Sequence, residues 1–161
     1  MIIKTPTHFF LVGGSSSGYS LLNAFDGALL DSGVGDTNIV RMSSILPPRC
    51  IELIPRPDSL PQGALVPVAY ASLTSNIPGE IISSAVAIGI PEDPDLAGLI
   101  MEYSAKSNRE TVEYEVCNMV FKGMEMRKRK IKEVKSISAS MIVETIGATF
   151  AGVVLWDVDE E

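Results

Sequence analysis

Strand-like runs dominate this chain and leave room for only two helices. KSISASMIVE (135–144) alternates strictly between apolar and polar residues, which is typical of a half-buried strand. Further strand-like runs are HFFLV (8–12), IVRMSSI (39–45), ALVPVAYASLTS (64–75), EIISSAVAIGI (80–90), AGLIMEYSA (97–105) and GATFAGVVLWDV (147–158). Because two amphipathic helices need sheet surfaces to cover, we predict an α/β fold, a four-layer αββα sandwich with two stacked, mainly antiparallel sheets flanked by helices.

Both helices have recognisable start signals. Ser20 can cap a helix that runs from Leu21 to about Ser32, and Gly33 would end it. Ser107 and Glu110 form a capping box for the second helix, in which apolar residues recur at intervals close to 3.6.

Asp26 is the unexpected residue of the first helix. The predicted apolar face of this helix consists of Leu22, Phe25, Leu29 and Leu30. Asp26 lies four residues from both Leu22 and Leu30, so we expect its carboxylate within or beside the buried stripe. A buried carboxylate costs free energy unless it is paired. The pattern therefore predicts either a cationic ligand or a structural partner, for which Arg41 is the plainer choice.

Composition limits the classes of function. The 161 residues suit a single domain, 1–161. Thirteen Lys and Arg against twenty Asp and Glu give a net charge of −7, which argues against nucleic acid as a partner. Only 20% of the residues are charged, and so small a share predicts that the chain buries surface in an oligomer.

Metal, triad and membrane classes also find little support. Cys50 and Cys117 match no metal-ligand spacing, so we expect no metal site. His8 is the single histidine, which leaves little to build a serine–histidine triad. The apolar run Phe9–Val12 is far too short for a signal peptide or a membrane span, and we expect a soluble, cytoplasmic protein without a membrane partner.

Serine-rich segments and one turn glutamate complete the candidate list. GGSSSG (13–18) lacks the lysine of a phosphate-binding loop, so we predict a flexible turn. Ser43-Ser44 precede Pro47 and Pro48, and serines in such places ordinarily turn the chain by bonding nearby backbone groups. Glu80 follows the Pro78-Gly79 turn, where a solvated or turn-bonding role is expected.

A resemblance gives the serine pair a different meaning. NAFDGALLDSGVGDTN (23–38), followed by IVRMSSILPP (39–48) and later GLIMEY (98–103), resembles the pyruvoyl-dependent arginine decarboxylases. The resemblance covers nearly the whole chain and includes LPQGALVPVAY (60–70), PGEIISSAVAIGIP (78–91) and GATFAGVVLW (147–156). It implies a proenzyme that cuts itself between Ser43 and Ser44 into a β chain, 1–43, and an α chain, 44–161.

The resemblance also implies the chemistry. The Ser44 hydroxyl would attack the Ser43 carbonyl carbon, the ester would undergo β-elimination, and hydrolysis of the dehydroalanine would leave a pyruvoyl group and ammonia. This group would replace pyridoxal phosphate and form a Schiff base with arginine, which loses carbon dioxide and leaves as agmatine. Polyamine biosynthesis and acid resistance are both compatible with that reaction.

Five site residues follow from the resemblance. Ser44 matches the pyruvoyl precursor and Ser43 the new carboxyl terminus. Glu102 matches the proton donor, Asn38 an amide implicated in self-processing, and Asp26 the carboxylate that binds the substrate guanidinium. The family implies a homotrimer or a dimer of trimers with active sites between subunits.

Two other interpretations remain open at this stage. The first is a pyruvoyl decarboxylase of another cationic amino acid, lysine or ornithine, although a carboxylate at Asp26 matches the planar fork of arginine better. The second is a non-catalytic oligomeric module that is never cleaved.

Overall fold

The computed structural model describes residues 3–158, which form nine strands and two helices. In chain order the elements are β1 (His8–Ser17), α1 (Leu21–Asp31), β2 (Asn38–Arg41), β3 (Ile45–Leu46), β4 (Ile51–Glu52), β5 (Leu65–Ser75), β6 (Ile81–Pro91), β7 (Gly98–Ala105), α2 (Arg109–Met126), β8 (Ile131–Ile142) and β9 (Gly147–Trp156). The two-residue strands β3 and β4 were not predicted, because so short a pairing leaves no periodic pattern.

The strands form two sheets. Sheet A has the order β2-β5-β9-β1-β4, and sheet B has the order β3-β7-β6-β8. The pairs β1–β4 and β2–β5 are parallel, and the other pairs in the described residues are antiparallel. The predicted α/β class with two mainly antiparallel sheets is confirmed.

Three apolar layers hold the sandwich together. The layer between α1 and sheet A contains Phe10, Val12, Ala28 and Phe150. The layer between the two sheets contains Val86, Ile88, Ile100 and Val153. The layer between sheet B and α2 contains Leu99, Val116, Val120 and Met124. Each helix therefore covers the outer face of one sheet, and the expected four-layer αββα order results.

The helix starts agree with the sequence only in part. The Ser20 hydroxyl caps α1 by accepting a hydrogen bond from the Asn23 amide at 3.1 Å, as predicted. At α2 the cap is Asn108, whose side-chain oxygen accepts from the Thr111 amide at 2.8 Å. The predicted cap at Ser107 is wrong by one residue, and the Ser107 carbonyl instead accepts a bond from Ser83.

The segment GGSSSG was also misinterpreted. Residues 13–17 continue β1 and pair with β9, so the predicted flexible turn is wrong there. A side chain at Gly14 would place its Cβ 2.6 Å from the Ala28 carbonyl oxygen, because α1 lies directly on this part of β1. The small residues serve this close approach of helix and strand.

Neither α1 nor α2, the helices within residues 3–158, has the length and apolar character needed to cross a bilayer.

Candidate active site

The serine pair lies where the chain passes from one sheet to the other. Strand β2 ends at Arg41 in sheet A, and β3 begins at Ile45 in sheet B. The sequence predicted one continuous strand over residues 39–45, but the structure interrupts it between these two short strands. The Ser43-Ser44 peptide therefore belongs to neither sheet ladder.

Pairing with β7 fixes the position of Ser44. Strand β3 runs antiparallel to β7, and the Ser44 carbonyl accepts a hydrogen bond from the Ile100 amide at 2.8 Å. This anchor aligns Ser44 with the part of β7 that carries Glu102. The Ser44 hydroxyl donates a hydrogen bond to Oε1 of Glu102. The structure thus brings together the predicted pyruvoyl precursor and the predicted proton donor.

Glu102 faces the space between the sheets. Ile100 belongs to the apolar layer between the sheets, and alternation along β7 puts Glu102 and Ser104 on the same side. The carboxylate lines a cavity of about 210 Å³ together with Arg41, Ala71, Ser72, Tyr103 and Ser104. A larger cavity of about 520 Å³ lies beside Trp156, but its charged residues Lys4 and Asp157 pair with each other at 3.4 Å.

A backbone amide faces the carbonyl that would be attacked. The Ser43 carbonyl oxygen accepts a hydrogen bond from the Ile45 amide at 2.9 Å, which closes a tight turn around Ser44. The sequence analysis placed an amide for self-processing at Asn38 and missed Ile45, because a backbone donor has no side-chain signature. A developing oxyanion on Ser43 already has one donor within the chain.

Asn38 lies away from the serine pair within this chain. It begins β2, whereas the serines follow the opposite end of that strand. Its side-chain amide donates to the Gly63 carbonyl at 3.1 Å, and the residue is exposed. The sequence prediction for Asn38 is therefore not met by contacts within a single chain.

Asp26 is on the outer layer, and it is exposed rather than buried. The buried residues of α1 are Ala24, Ala28 and Leu29. Leu22 and Leu30, expected in the buried stripe, are 74% and 54% exposed on the same helix face as Asp26. The predicted burial is wrong because Ala24, Ala28 and Leu29 meet sheet A, whereas Leu22 and Leu30 face away from it. Among the described residues Asp26 takes part in no ion pair.

Arg41 has partners other than Asp26. Its Nη2 donates to the Tyr70 carbonyl at 2.9 Å, and its guanidinium carbon lies 4.5 Å from the centroid of the Tyr70 ring. The predicted pairing of Arg41 with Asp26 is wrong. Arg41 instead lines the same cavity as Glu102. The sequence did not predict this placement, because β2 is too short for its alternation to show which way Arg41 points.

Buried hydroxyl groups form the inner wall beside the cavity. Ser84 bonds to Ser104 at 2.8 Å and to the Thr149 hydroxyl at 2.8 Å. Ser84 and Thr149 are fully buried, so these bonds satisfy groups that would otherwise be costly in the core. The network joins β6, β7 and β9 and fixes the orientation of Ser104.

The Cys50 thiol is a poor candidate nucleophile. Burial raises the pKa of the Cys50 thiol to about 11, so it stays protonated near neutral pH and is a poor nucleophile. Within residues 3–158, no three His, Cys, Asp or Glu side chains are grouped so that they could hold a metal ion.

Comparison with known families identifies matching proteins. The family model described as pyruvoyl-dependent arginine decarboxylase matches residues 8–159. The pyruvoyl-dependent arginine decarboxylase of Methanocaldococcus jannaschii is 47% identical over 153 residues, which cover 95% of this chain and 92% of that protein. The protein of the same description from Pyrococcus abyssi is 38% identical, over 94% of this chain and 96% of its own length.

A solved structure is similar in fold. A pyruvoyl-dependent histidine decarboxylase matches with a TM-score of 0.51 and 17% sequence identity, over 63% of this chain and 54% of that chain. At this identity the similarity supports the sandwich fold alone.

Proposed function

Because this chain belongs to the pyruvoyl-dependent arginine decarboxylase family, we propose that it converts L-arginine to agmatine and carbon dioxide with a pyruvoyl group formed from its own Ser44. One observation carries the assignment of the site. The Ser44 hydroxyl donates to Glu102 at the point where the chain crosses between the sheets, beside a polar cavity. A pyruvoyl group formed from Ser44 would stand next to Glu102 and the cavity that Glu102 lines.

Self-cleavage begins with activation of a weak nucleophile. A serine hydroxyl attacks slowly at neutral pH unless a base takes its proton. Glu102 accepts the Ser44 hydrogen bond and is placed for that role. The Ile45 amide, bonded to the Ser43 carbonyl oxygen at 2.9 Å, would stabilise the oxyanion. Since the Ser43-Ser44 peptide lies outside both ladders, its cleavage removes no strand pairing.

Glu102 has a second role in decarboxylation. The pyruvoyl carbonyl supplies an electron sink for the charge left when carbon dioxide departs. The Glu102 carboxyl is anchored on β7 at the edge of the same cavity and can return a proton to the substrate α-carbon. Ser72 and Ser104 line the polar remainder of that cavity.

The guanidinium end of the substrate requires a second carboxylate. We assign this role to Asp26, and the processing role of an amide to Asn38, on a neighbouring subunit. Both residues are exposed and lie away from Ser44 within the chain. The exposed Leu22 and Leu30 beside Asp26 support an oligomer, because an apolar face of this kind is normally covered. A homotrimer, alone or paired with a second trimer, accommodates such shared sites.

Intact-mass spectrometry and substrate rates test the function together. We expect two chains that meet between residues 43 and 44, with a pyruvoyl-blocked second chain, and arginine consumed faster than lysine or ornithine. A single full-length chain after prolonged incubation would favour the uncleaved module. Two chains that consume lysine faster than arginine would keep the cofactor and overturn the substrate.

Co-expression of two inactive variants tests the shared site. Ser44→Ala chains lack the cofactor, and Asp26→Ala chains lack the carboxylate. If each site takes Ser44 from one subunit and Asp26 from the next, random mixing in equal amounts restores about a quarter of the sites. Activity no higher than the sum of the separate variants would place both residues in one chain.

A further inference from the structure

The cavity beside Ser44 is lined by a cationic side chain that has no role in the proposed reaction steps. Six residues line its volume of about 210 Å³, and Arg41 is the one cationic side chain among them. Arg41 comes three residues before Ser44 and ends β2, while Glu102 approaches from β7. The two sheets therefore bring a guanidinium and a carboxylate to the same cavity from opposite sides.

The Arg41 side chain is held in place with most of its donors free. A guanidinium has five N–H donors. Among the described residues, Arg41 makes one side-chain hydrogen bond, from Nη2 to the Tyr70 carbonyl at 2.9 Å. Stacking on the Tyr70 ring, at 4.5 Å, adds a cation–π contact. These contacts orient the fork and leave other N–H groups for a ligand.

The substrate brings a negative charge to this place. An α-amino acid reacts at residue 44 through its amine, and the α-carbon that bears this amine also bears the carboxylate. The carboxylate would therefore lie close to Glu102, the proposed proton donor to that carbon. The chain has a net charge of −7, so the wider field does not favour an anion. A guanidinium matches a carboxylate with two parallel charge-assisted bonds and would offset the repulsion.

We infer that Arg41 binds the substrate α-carboxylate, an assignment that rests on the proposed function of the Ser44 site. The size of the cavity agrees with a partial subsite, because sites for whole drug-sized ligands are typically ~300–1,000 Å³. The cavity of about 210 Å³ takes the α-carbon end of the amino acid, and the long guanidinium arm extends out of it.

This role predicts a specific kinetic pattern. A contact to the carboxylate forms when the substrate binds and persists while the carbon–carbon bond is only partly broken, so it stabilises the bound substrate and the transition state about equally. Arg41→Met should therefore raise KM for arginine, while kcat changes little. Arg41→Lys keeps the charge but loses the fork, and its KM should be intermediate.

The decisive test uses two ligands that cannot react. Guanidinovalerate is arginine without its α-amine, and guanidinovaleramide carries a neutral amide in place of its carboxylate. Calorimetry on the processed enzyme should show that Arg41→Met weakens the acid roughly 10- to 100-fold, the range for a charge-assisted contact, and leaves the amide nearly unchanged. Arg129→Met is the matched control, since Arg129 also bonds a backbone carbonyl, that of Ala97, and is absent from the cavity lining.

Three results would overturn the inference. Equal weakening of both ligands would mean that Arg41 acts by holding Tyr70, and unchanged binding of both would mean that it does not contact the ligand. Loss of cleavage in both Arg41→Met and Arg41→Lys, seen by intact mass, would assign Arg41 to self-processing instead. If wild-type enzyme fails to consume arginine while acid binding still depends on Arg41, the proposed function fails and the carboxylate subsite stands.

Discussion

Two of the serine–glutamate pairs in this protein share the same type of hydrogen bond but differ in their surroundings. Ser44 donates to Glu102 at the crossing between the sheets. Ser75 donates to Glu80 at 2.7 Å, where β5 turns into β6. A search for hydroxyl–carboxylate contacts alone would rank them equally.

The Ser75–Glu80 pair is enclosed by structural contacts. The Ser75 hydroxyl also accepts a hydrogen bond from the Ile77 amide at 3.1 Å, and the second Glu80 oxygen lies 3.4 Å from the Lys106 ammonium. The hydrogen bond from Ser75, aided by Lys106, lowers the pKa of the Glu80 carboxyl. Ser75, Ile77 and Glu80 belong to the turn between β5 and β6, and Lys106 follows β7. The pair therefore stabilises this turn, in agreement with the turn-bonding role expected of Glu80.

The Ser44–Glu102 pair instead lies beside a peptide outside both ladders and an open cavity. The peptide before Ser44 is outside both ladders, its carbonyl faces the Ile45 amide, and Glu102 opens to a cavity that contains Arg41. The hydrogen bond alone therefore does not define the site. A peptide outside both ladders, a backbone amide on its carbonyl and an adjoining cavity distinguish it.

Removing each serine should give the largest contrast. Ser44→Ala deletes the proposed nucleophile and the proposed source of the cofactor, so we expect a full-length chain and no carbon dioxide from arginine. Ser75→Ala should lower the melting temperature, because the Ile77 amide and Glu80 lose a partner, yet it should be cleaved normally. Intact mass and a release assay measure both effects. Cleavage of Ser44→Ala would remove Ser44 from the proposed role.

Removing each carboxylate should give the next largest contrast. Glu102→Gln keeps the shape but cannot transfer a proton, so turnover should fall roughly 100- to 10,000-fold, and cleavage should slow because Ser44 loses its base. Glu80→Gln should leave turnover at the wild-type level. Time courses of cleavage and single-turnover rates separate the two steps. Equal loss in both variants would attribute the effect to stability.

The long-range architecture could be predicted because burial patterns are periodic. Strict alternation in residues 135–144 and the apolar run 147–158 correspond to β8 and β9, and Ser20 caps α1 as expected. The short crossing was not predictable, because β2 and β3 together have only six residues and the break between them follows from pairing with different sheets.

The site residues likewise divide into those that could be predicted from the sequence and those that could not. The serine pair and Glu102 came from a resemblance, and the structure brings Ser44 and Glu102 together. The burial of Asp26 was misjudged because the side of α1 that meets the sheet carries Ala24, Ala28 and Leu29, and the apolar pattern also included the exposed Leu22 and Leu30. The contact of Ile45 with the Ser43 carbonyl is made by a backbone amide, for which side-chain patterns carry no information.

Asp26 extends the comparison to a carboxylate that has no hydroxyl or ammonium partner among the described residues. If Asp26 binds the substrate guanidinium, Asp26→Asn should raise KM for arginine roughly 10- to 100-fold, the range for a charge-assisted bond, with cleavage intact. Asp36→Asn removes an equal charge from the exposed loop before β2 and controls for the general field. Steady-state kinetics decide, and an unchanged KM in Asp26→Asn would detach Asp26 from the substrate.

The smallest contrast should be the effect of acid on the stability contributed by the Ser75–Glu80 pair. A carboxyl whose folded-state pKa is lowered stabilises the fold above its unfolded pKa of about 4.3, and that contribution is lost as pH falls through the folded value. Since Ser75 and Lys106 lower the pKa of Glu80, Glu80→Gln should be less stable than wild type at pH ~6, and the difference should shrink below pH ~4. Ser75→Ala removes the same bond from its donor side and should also flatten the acid limb. Urea unfolding at several pH values measures this, and a deficit in Glu80→Gln that is independent of pH would show that packing, not ionisation, makes this pair structural.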